Sequence, residues 1–153
     1  MKVTPLMIEK CRQIENTDLR LISPKWAYGI YDCHIRDSAL KAENNEYEFF
    51  FVKVSDLIKK ADFGEMCLTP LFDGSFLNDQ RISRLLFRWQ SGFFVDPPTI
   101  TINLLDKTQL SFFDGRHRSK LALHIGIDVI PIAIHFSDVE DIGKIIELAN
   151  PDQ

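Results

Sequence analysis

A cluster of basic side chains follows a short apolar run in the second half of the sequence. The segment LSFFDGRHRSK spans residues 110–120, and a turn signal, Asp114-Gly115, separates its apolar part from its basic part. This pattern predicts a buried strand, a glycine turn and a helix that ends at Gly126. The first N–H groups of such a helix have no intrahelical partner and lie at the positive end of the helix dipole, so they attract an anion. The sequence therefore predicts a phosphate or nucleotide site, with these ligand-binding candidates: Gly115, Arg116, His117, Arg118 and Lys120.

The side chains of this segment suggest specific roles. Arg116 and Arg118 can form bidentate hydrogen bonds with phosphate oxygens, and Lys120 adds a point charge one turn into the helix. Asp114 and His117 are the catalytic candidates: Asp114 could orient an arginine or hold a Mg²⁺ that bridges phosphates, and His117 could act as an acid, a base or a hydrogen-bond donor to phosphate. Structural roles remain open for three of them. Asp114 could simply be a turn or cap residue, His117 a structural donor, and Arg118 a partly buried, paired arginine.

A second set of arginines lies on the predicted helix over residues 79–90. Its core-facing stripe is formed by Ile82, Leu85, Leu86 and Trp89. On another face, Arg81, Arg84 and Arg88 recur at helical spacing. This row is typical of a solvated helix face, but it could also be a surface that contacts nucleic-acid phosphates or an acidic protein partner.

Composition and charge limit the class of protein. A chain of 153 residues suits one domain, residues 1–153, and 45% apolar with 26% charged residues excludes a disordered chain. The net charge of -4 argues against general polyanion binding, yet residues 78–126 contain seven Lys/Arg and only four Asp. The three cysteines, at positions 11, 33 and 67, predict neither disulfides nor a zinc site. Without a membrane-length apolar run or a signal-peptide pattern, we expect a cytoplasmic protein that does not bind membranes.

The remaining patterns predict an α+β fold, with a small mixed sheet flanked by helices. Helices are predicted over residues 4–14, 79–90 and 137–149, with Ser55 capping another over 56–61 and a helical turn at 39–43. Strands are predicted over 48–54, 99–104 and 109–113 (a hairpin), 128–134, and in short pieces over 19–31. Pro131 indicates an edge strand or a non-donating position in the last strand. The loop over residues 62–77 carries further candidates for a catalytic acid, Asp62, Glu65 and Asp73, each of which could equally be a solvated carboxylate.

The motifs SGFFVDPP and FFDGRHRSKLALHIGIDVIPI, in this order after an apolar helix, resemble the N-terminal domain of ParB partition proteins and the related sulfiredoxin fold. The resemblance covers residues 49–134 and implies a core over about 48–136, an extension over 1–47 and a C-terminal helix over 137–149. It implies a bacterial, phage or plasmid protein whose Gly115, Arg116, His117 and Arg118 lie against the phosphates of CTP, ATP or ADP, with Mg²⁺ as a possible cofactor. Because Arg116 stands where sulfiredoxin has its reactive cysteine, sulfiredoxin's repair chemistry is not expected.

Two functions from different classes are consistent with this resemblance. The first is a ParB-like protein that binds nucleotide and could also hydrolyse it or cut DNA. The second is a non-catalytic interaction protein, such as an immunity protein, antitoxin or conjugation inhibitor, that keeps the phosphate turn for structure. Partition proteins continue into a helix-turn-helix and a dimerisation module, and since this sequence ends at Gln153 we expect no DNA binding of that kind.

Overall fold

The strands predicted from β-branched and aromatic residues assemble into one mixed sheet. The computed structural model describes residues 2–28 and 46–151. Its strands are β1 (Tyr47–Lys53), β2 (Ala61–Asp62), β3 (Thr99–Ile102), β4 (Leu110–Asp114) and β5 (Val129–His135). They are hydrogen-bonded in the order β1-β5-β3-β4-β2, in which β3 is parallel to β5 and β2 to β4, while the other neighbours are antiparallel. The predicted α+β class and the β3–β4 hairpin are confirmed.

Helices precede, interrupt and follow these strands. They are α1 (Pro5–Arg12), α2 (Asn16–Leu19), α3 (Val54–Lys60), α4 (Phe76–Gln90), α5 (Arg116–Ile125) and α6 (Val139–Gly143), with a 3-10 helix at Phe136–Asp138 before α6. The predicted start of α1 is confirmed, because Pro5 takes its first position and the hydroxyl of Thr4 accepts the N–H of Met7 at 3.2 Å.

Two apolar clusters hold these elements together. The first joins buried sheet residues such as Val52, Ile100 and Ile132 to Leu57 of α3 and Ile142 of α6. The second lies among α1, α2, α4 and α5 and contains Cys11, Leu19, Ile82, Leu86 and Leu121. Burial in these clusters fixes α4 beside α5, and this arrangement positions the basic residues of both helices.

Several predicted element boundaries were wrong. Val54, predicted as the end of β1, begins α3, and Lys53 rather than Ser55 is its cap residue. Helix α4 begins at Phe76, so Asn78 and Asp79, which resemble caps, lie inside its first turn and are buried. Leu19, predicted as the start of a short strand, is instead the last residue of α2, and Trp26 makes an isolated bridge to Val95. The predictions for residues 29–31, for the turn at 39–43 and for Cys33 and His34 fall outside the described residues.

The predicted C-terminal helix over residues 137–149 is confirmed only in its first part. Helix α6 ends at Gly143, and the chain then turns so that Ala149 exchanges both backbone hydrogen bonds with Phe51, at 2.8 and 2.9 Å. Pairing with β1 thus replaces continued helix at this end of the chain. Because Phe51 directs its N–H and carbonyl oxygen toward Ala149, it makes no hydrogen bond to Pro131, which lies opposite it on β5. A proline, which has no N–H, is therefore tolerated at this position. The predicted non-donating position is confirmed, but the predicted edge is not, since β5 lies between β1 and β3.

Candidate functional site

The turn between β4 and α5 depends on a glycine. Gly115 has φ 105°, and a Cβ at this position would lie 2.6 Å from Cα of Pro98. An L side chain would therefore meet both backbone strain and a steric clash. The turn places Arg116, His117 and Arg118 ahead of Ser119, whose N–H makes a 3.1 Å hydrogen bond to the carbonyl oxygen of Gly115. The N-cap residue, Gly115, has no side chain with which to cap the helix, so the N–H groups at the positive end of α5 can meet an anion.

A groove of about 570 Å³ opens at this turn. It is bounded by Asp62 and Gly64 on one side, by Arg81 and Arg84 of α4 on another, and by residues 111–118 of β4 and the α5 start. We call it the turn groove. Its volume lies within the range of small-molecule sites, roughly 300–1,000 Å³. The fold thus brings part of the α4 arginine row to the predicted phosphate turn.

Two arginines of α4, Arg81 and Arg84, line this groove. Both side chains are exposed, and neither makes a hydrogen bond or ion pair within residues 2–28 and 46–151. Arg88, the third member of the row, instead donates to the carbonyl oxygen of Phe94 at 2.7 Å and lies 5.5 Å from the Phe93 ring centroid. The row therefore does not act as one continuous surface, since Arg88 stabilises the loop that follows α4.

Arg116 and His117 both line the groove. Arg116 reaches across to the loop after β2, where its Nη1 donates to the carbonyl oxygen of Phe63 at 3.1 Å. His117 is partly buried, and desolvation, followed by the positive charges of Arg81, Arg116 and Lys120, lowers its pKa from 6.5 to about 4. At neutral pH His117 is therefore an uncharged imidazole in a positively charged environment.

Arg118 has three internal acceptors. Its Nη1 donates to the carbonyl oxygens of Asp96 and Pro97 at 2.9 and 3.1 Å, and its Nη2 donates to a carboxylate oxygen of Asp114 at 2.6 Å. The structural interpretation of Arg118 and the orienting role predicted for Asp114 are both present in this arrangement. Together they fix the turn to the loop that precedes β3.

Lys120 lies behind the groove rather than in it. Its side chain is fully buried, and its ammonium donates to the amide oxygen of Asn78 at 2.9 Å. Burial lowers the pKa of Lys120, against the opposing effect of Asp73 and Asp79. The direct ligand contact predicted for Lys120 is not available in this arrangement, because its ammonium is directed toward α4. Its positive charge still helps to lower the pKa of His117.

The predicted acids are distributed unevenly. Asp62 and Asp114 line the groove, whereas Glu65 does not, and Asp73 accepts the N–H of Ser75 at 2.8 Å. Asp62 accepts from the N–H of Gly64 and from the side chain of Asn103, at 2.8 and 3.2 Å. Within the described ranges, no group of three or more His, Cys, Asp or Glu side chains could hold a metal ion. A Mg²⁺ that arrives with a nucleotide needs only one or two carboxylates beside the phosphates, and Asp62 and Asp114 are the acids that line the groove.

The sequence alone did not identify Phe113 as a groove residue. Its ring is 66% exposed, while Phe112 packs against Phe63 with ring centroids 4.8 Å apart. Alternation along β4 was the available signal, because Leu110 and Phe112 share one face and Ser111 and Phe113 the other. Two consecutive phenylalanines obscured it by suggesting burial of both.

Comparisons with known proteins supply no relative. No protein-family profile, curated protein or solved structure matches the chain. Among the described helices, none combines the length and the apolar character that crossing a bilayer requires.

Proposed function

We propose that the turn groove binds the phosphate groups of a nucleotide, as expected for a ParB/sulfiredoxin-like domain. The observation that carries the proposal is the pair Arg81 and Arg84, two guanidinium groups without protein partners in the described residues, in one groove with the uncapped start of α5. Neighbouring guanidinium groups repel one another, and a ligand that carries several negative oxygens relieves this repulsion while forming hydrogen bonds with both. Arg116 lies in the same groove and adds a third guanidinium.

The chemistry at this site is proposed to begin from a neutral His117. An uncharged imidazole can accept a proton or a hydrogen bond, and Asp62 and Asp114 are the nearby carboxylates that can share a Mg²⁺ with the ligand. Hydrolysis of the nucleotide, or cleavage of DNA, is a further step of the same proposal. Product analysis after incubation with CTP, ATP or ADP and Mg²⁺ separates hydrolysis from binding alone.

Thermal unfolding in the presence of CTP, ATP and ADP, each with and without Mg²⁺, tests binding. At a concentration of about 100 times Kd, a ligand that binds only the folded protein raises Tm by roughly 5–10 °C for a domain of this size. We expect Arg81→Ala and Arg84→Ala to reduce the Tm shift without lowering Tm in the absence of ligand, since neither side chain has a partner to lose among the described residues.

Arg88→Ala is the matched control on the same helix. Its side chain does not line the groove, so the nucleotide-induced shift should remain when measured from the variant's own ligand-free Tm. Failure of every nucleotide to shift Tm, or an equal loss of the shift in all three arginine variants, would contradict the proposal.

The second candidate function, a non-catalytic interaction protein, is favoured by a different observation. Arg118 and Lys120 already have internal partners, which is what a turn retained for structure requires. In addition, Leu104 and Leu105 at the tip of the β3–β4 hairpin are 91% and 99% exposed. Absence of any nucleotide shift, together with unchanged stability of Arg81→Ala, would favour this candidate.

A further inference from the structure

An exposed aromatic ring lies in the same groove as Arg81 and Arg84. Phe113 is 66% exposed at the end of β4, and it lines the groove together with Arg81, Arg84 and the α5 start. Its neighbour Phe112 is the one that packs into the core, against Phe63. The exposed ring therefore contributes little to the core, and it lies in a groove that several basic side chains also line.

A ligand with two chemically different ends matches this combination. Arginines and helix N–H groups recognise phosphate oxygens, whereas an aromatic ring recognises a flat, apolar face. Nucleobases stack on aromatic side chains regardless of their identity, because every base has a π-face. We propose that Phe113 is the stacking platform for the base of a single nucleotide, whose phosphates contact Arg81 and Arg84; this inference rests on the proposed function.

The extent of the positive charge favours a mononucleotide over a strand. Arg81 and Arg84 are three residues apart, a rise of about 4.5 Å along the helix. The third arginine, Arg88, donates to Phe94 instead of lining the groove. Proteins that bind single strands use a basic groove that follows several successive phosphates, and this site is too short for that purpose. The chain's net charge of -4 also disfavours a long polyanion.

The test measures the affinity of the full chain for two probes by isothermal titration calorimetry. One probe is a nucleotide, ATP or CTP, and the other is inorganic tripolyphosphate. Tripolyphosphate carries the phosphate charge without a base. We expect Phe113→Leu to weaken nucleotide binding by about tenfold, as loss of one base–aromatic stack does. The affinity for tripolyphosphate should not change. Phe113→Trp should retain nucleotide affinity and should add a fluorescence signal that the nucleotide, but not tripolyphosphate, quenches.

Phe136→Leu is the matched control, since Phe136 is also exposed, at 58%, and does not line the groove. It should leave both affinities unchanged. Equal nucleotide and tripolyphosphate affinities in the unmodified protein, or an equal effect of Phe113→Leu on both probes, would overturn the stacking role while leaving phosphate binding in place. Binding of neither probe would overturn the proposed function itself. Tighter binding of a thymidine oligonucleotide than of a mononucleotide would overturn the choice of a single nucleotide.

Discussion

The surroundings of His117 determine its protonation state. It lies on the first turn of α5, where burial and three positive charges oppose its protonation. A histidine with a pKa of about 4 is uncharged at pH 7, so it can accept a proton there but cannot supply one. Among the roles predicted from the sequence, the arrangement therefore favours a base or a hydrogen-bonding group over a general acid.

The lowered pKa of His117 makes the stability of the fold depend on pH. In the unfolded chain the imidazole titrates near 6.5, whereas in the folded protein it stays neutral down to about 4. Between these values the unfolded state binds the extra proton, so stability falls as pH falls. From pH 7.5 to pH 5.0 the loss due to this residue should be about 2 kcal/mol.

Urea unfolding at the two pH values measures this loss, and His117→Gln should remove it. His135→Gln is the control, because His135 lies at the C-terminal end of β5 and does not line the turn groove. If the variant at position 117 retains the full pH dependence of the unmodified protein, the burial argument for His117 is wrong.

At the scale of elements, two glycines bound helix α5 in different ways. Gly115 and Gly126 both have positive φ, 105° and 85°, but only Gly115 is crowded, because a methyl group there would lie 2.6 and 2.7 Å from atoms of Pro98. At Gly126 a methyl group would have nothing within 4 Å. Comparing substitutions at the two sites therefore distinguishes the cost of backbone strain from the cost of a steric clash with another segment.

We expect Gly126→Ala to cost about 1 kcal/mol from strain, and Gly115→Ala to cost at least about 2 kcal/mol more, because the backbone at Pro98 must also move. Chemical denaturation of both variants gives the two free energies of unfolding. Gly115→Ala should also reduce the nucleotide-induced Tm shift, since Pro98 and Gly115 set the direction of the α5 start. Equal losses of stability in the two variants would show that the contact with Pro98 does not constrain the turn.

Local signals predicted helix α5 and the β3–β4 hairpin because a glycine turn, a helix stop signal and side-chain periodicity lie within a few residues of each other. The predicted end of the helix over residues 137–149 was wrong because the pairing of Ala149 with Phe51 joins segments nearly a hundred residues apart. The same limit applies at the site. Sequence spacing located Arg118 and Lys120 at the helix start, but it could not show that Asp96, Pro97 and Asn78 provide their acceptors.

At the scale of the whole molecule, a series of polar contacts centred on the buried Asp79 connects the N-terminal region to the side of α5 that faces away from the turn groove. Arg12 of α1 makes a hydrogen-bonded ion pair with Asp79. Asp79 also accepts from the side chain of Asn78 at 3.0 Å and from the N–H of Asp73 at 3.1 Å. Asn78 in turn accepts from Lys120 and donates to the carbonyl oxygen of Leu71. Four segments, α1, the loop before α4, α4 and α5, therefore depend on one buried carboxylate.

Replacing that carboxylate should destabilise the entire fold. Asp79 is fully buried, and Asp79→Ala leaves the side chain of Asn78 and the N–H of Asp73 without their acceptor and Arg12 without its partner. Leaving buried donors without their acceptor costs about 1–3 kcal/mol, and we expect a loss of this size in the free energy of unfolding by urea. The control is Glu140→Ala in the first turn of α6, where the pair with Lys144 is exposed and 3.8 Å long, so the cost should stay below about 1 kcal/mol. Lys120→Met combined with Asp79→Ala should recover part of the loss, because the buried cation that Asp79 partly offsets is then also removed. A small effect of Asp79→Ala, or no recovery in the double variant, would mean that α1 and the loop are held by apolar packing alone.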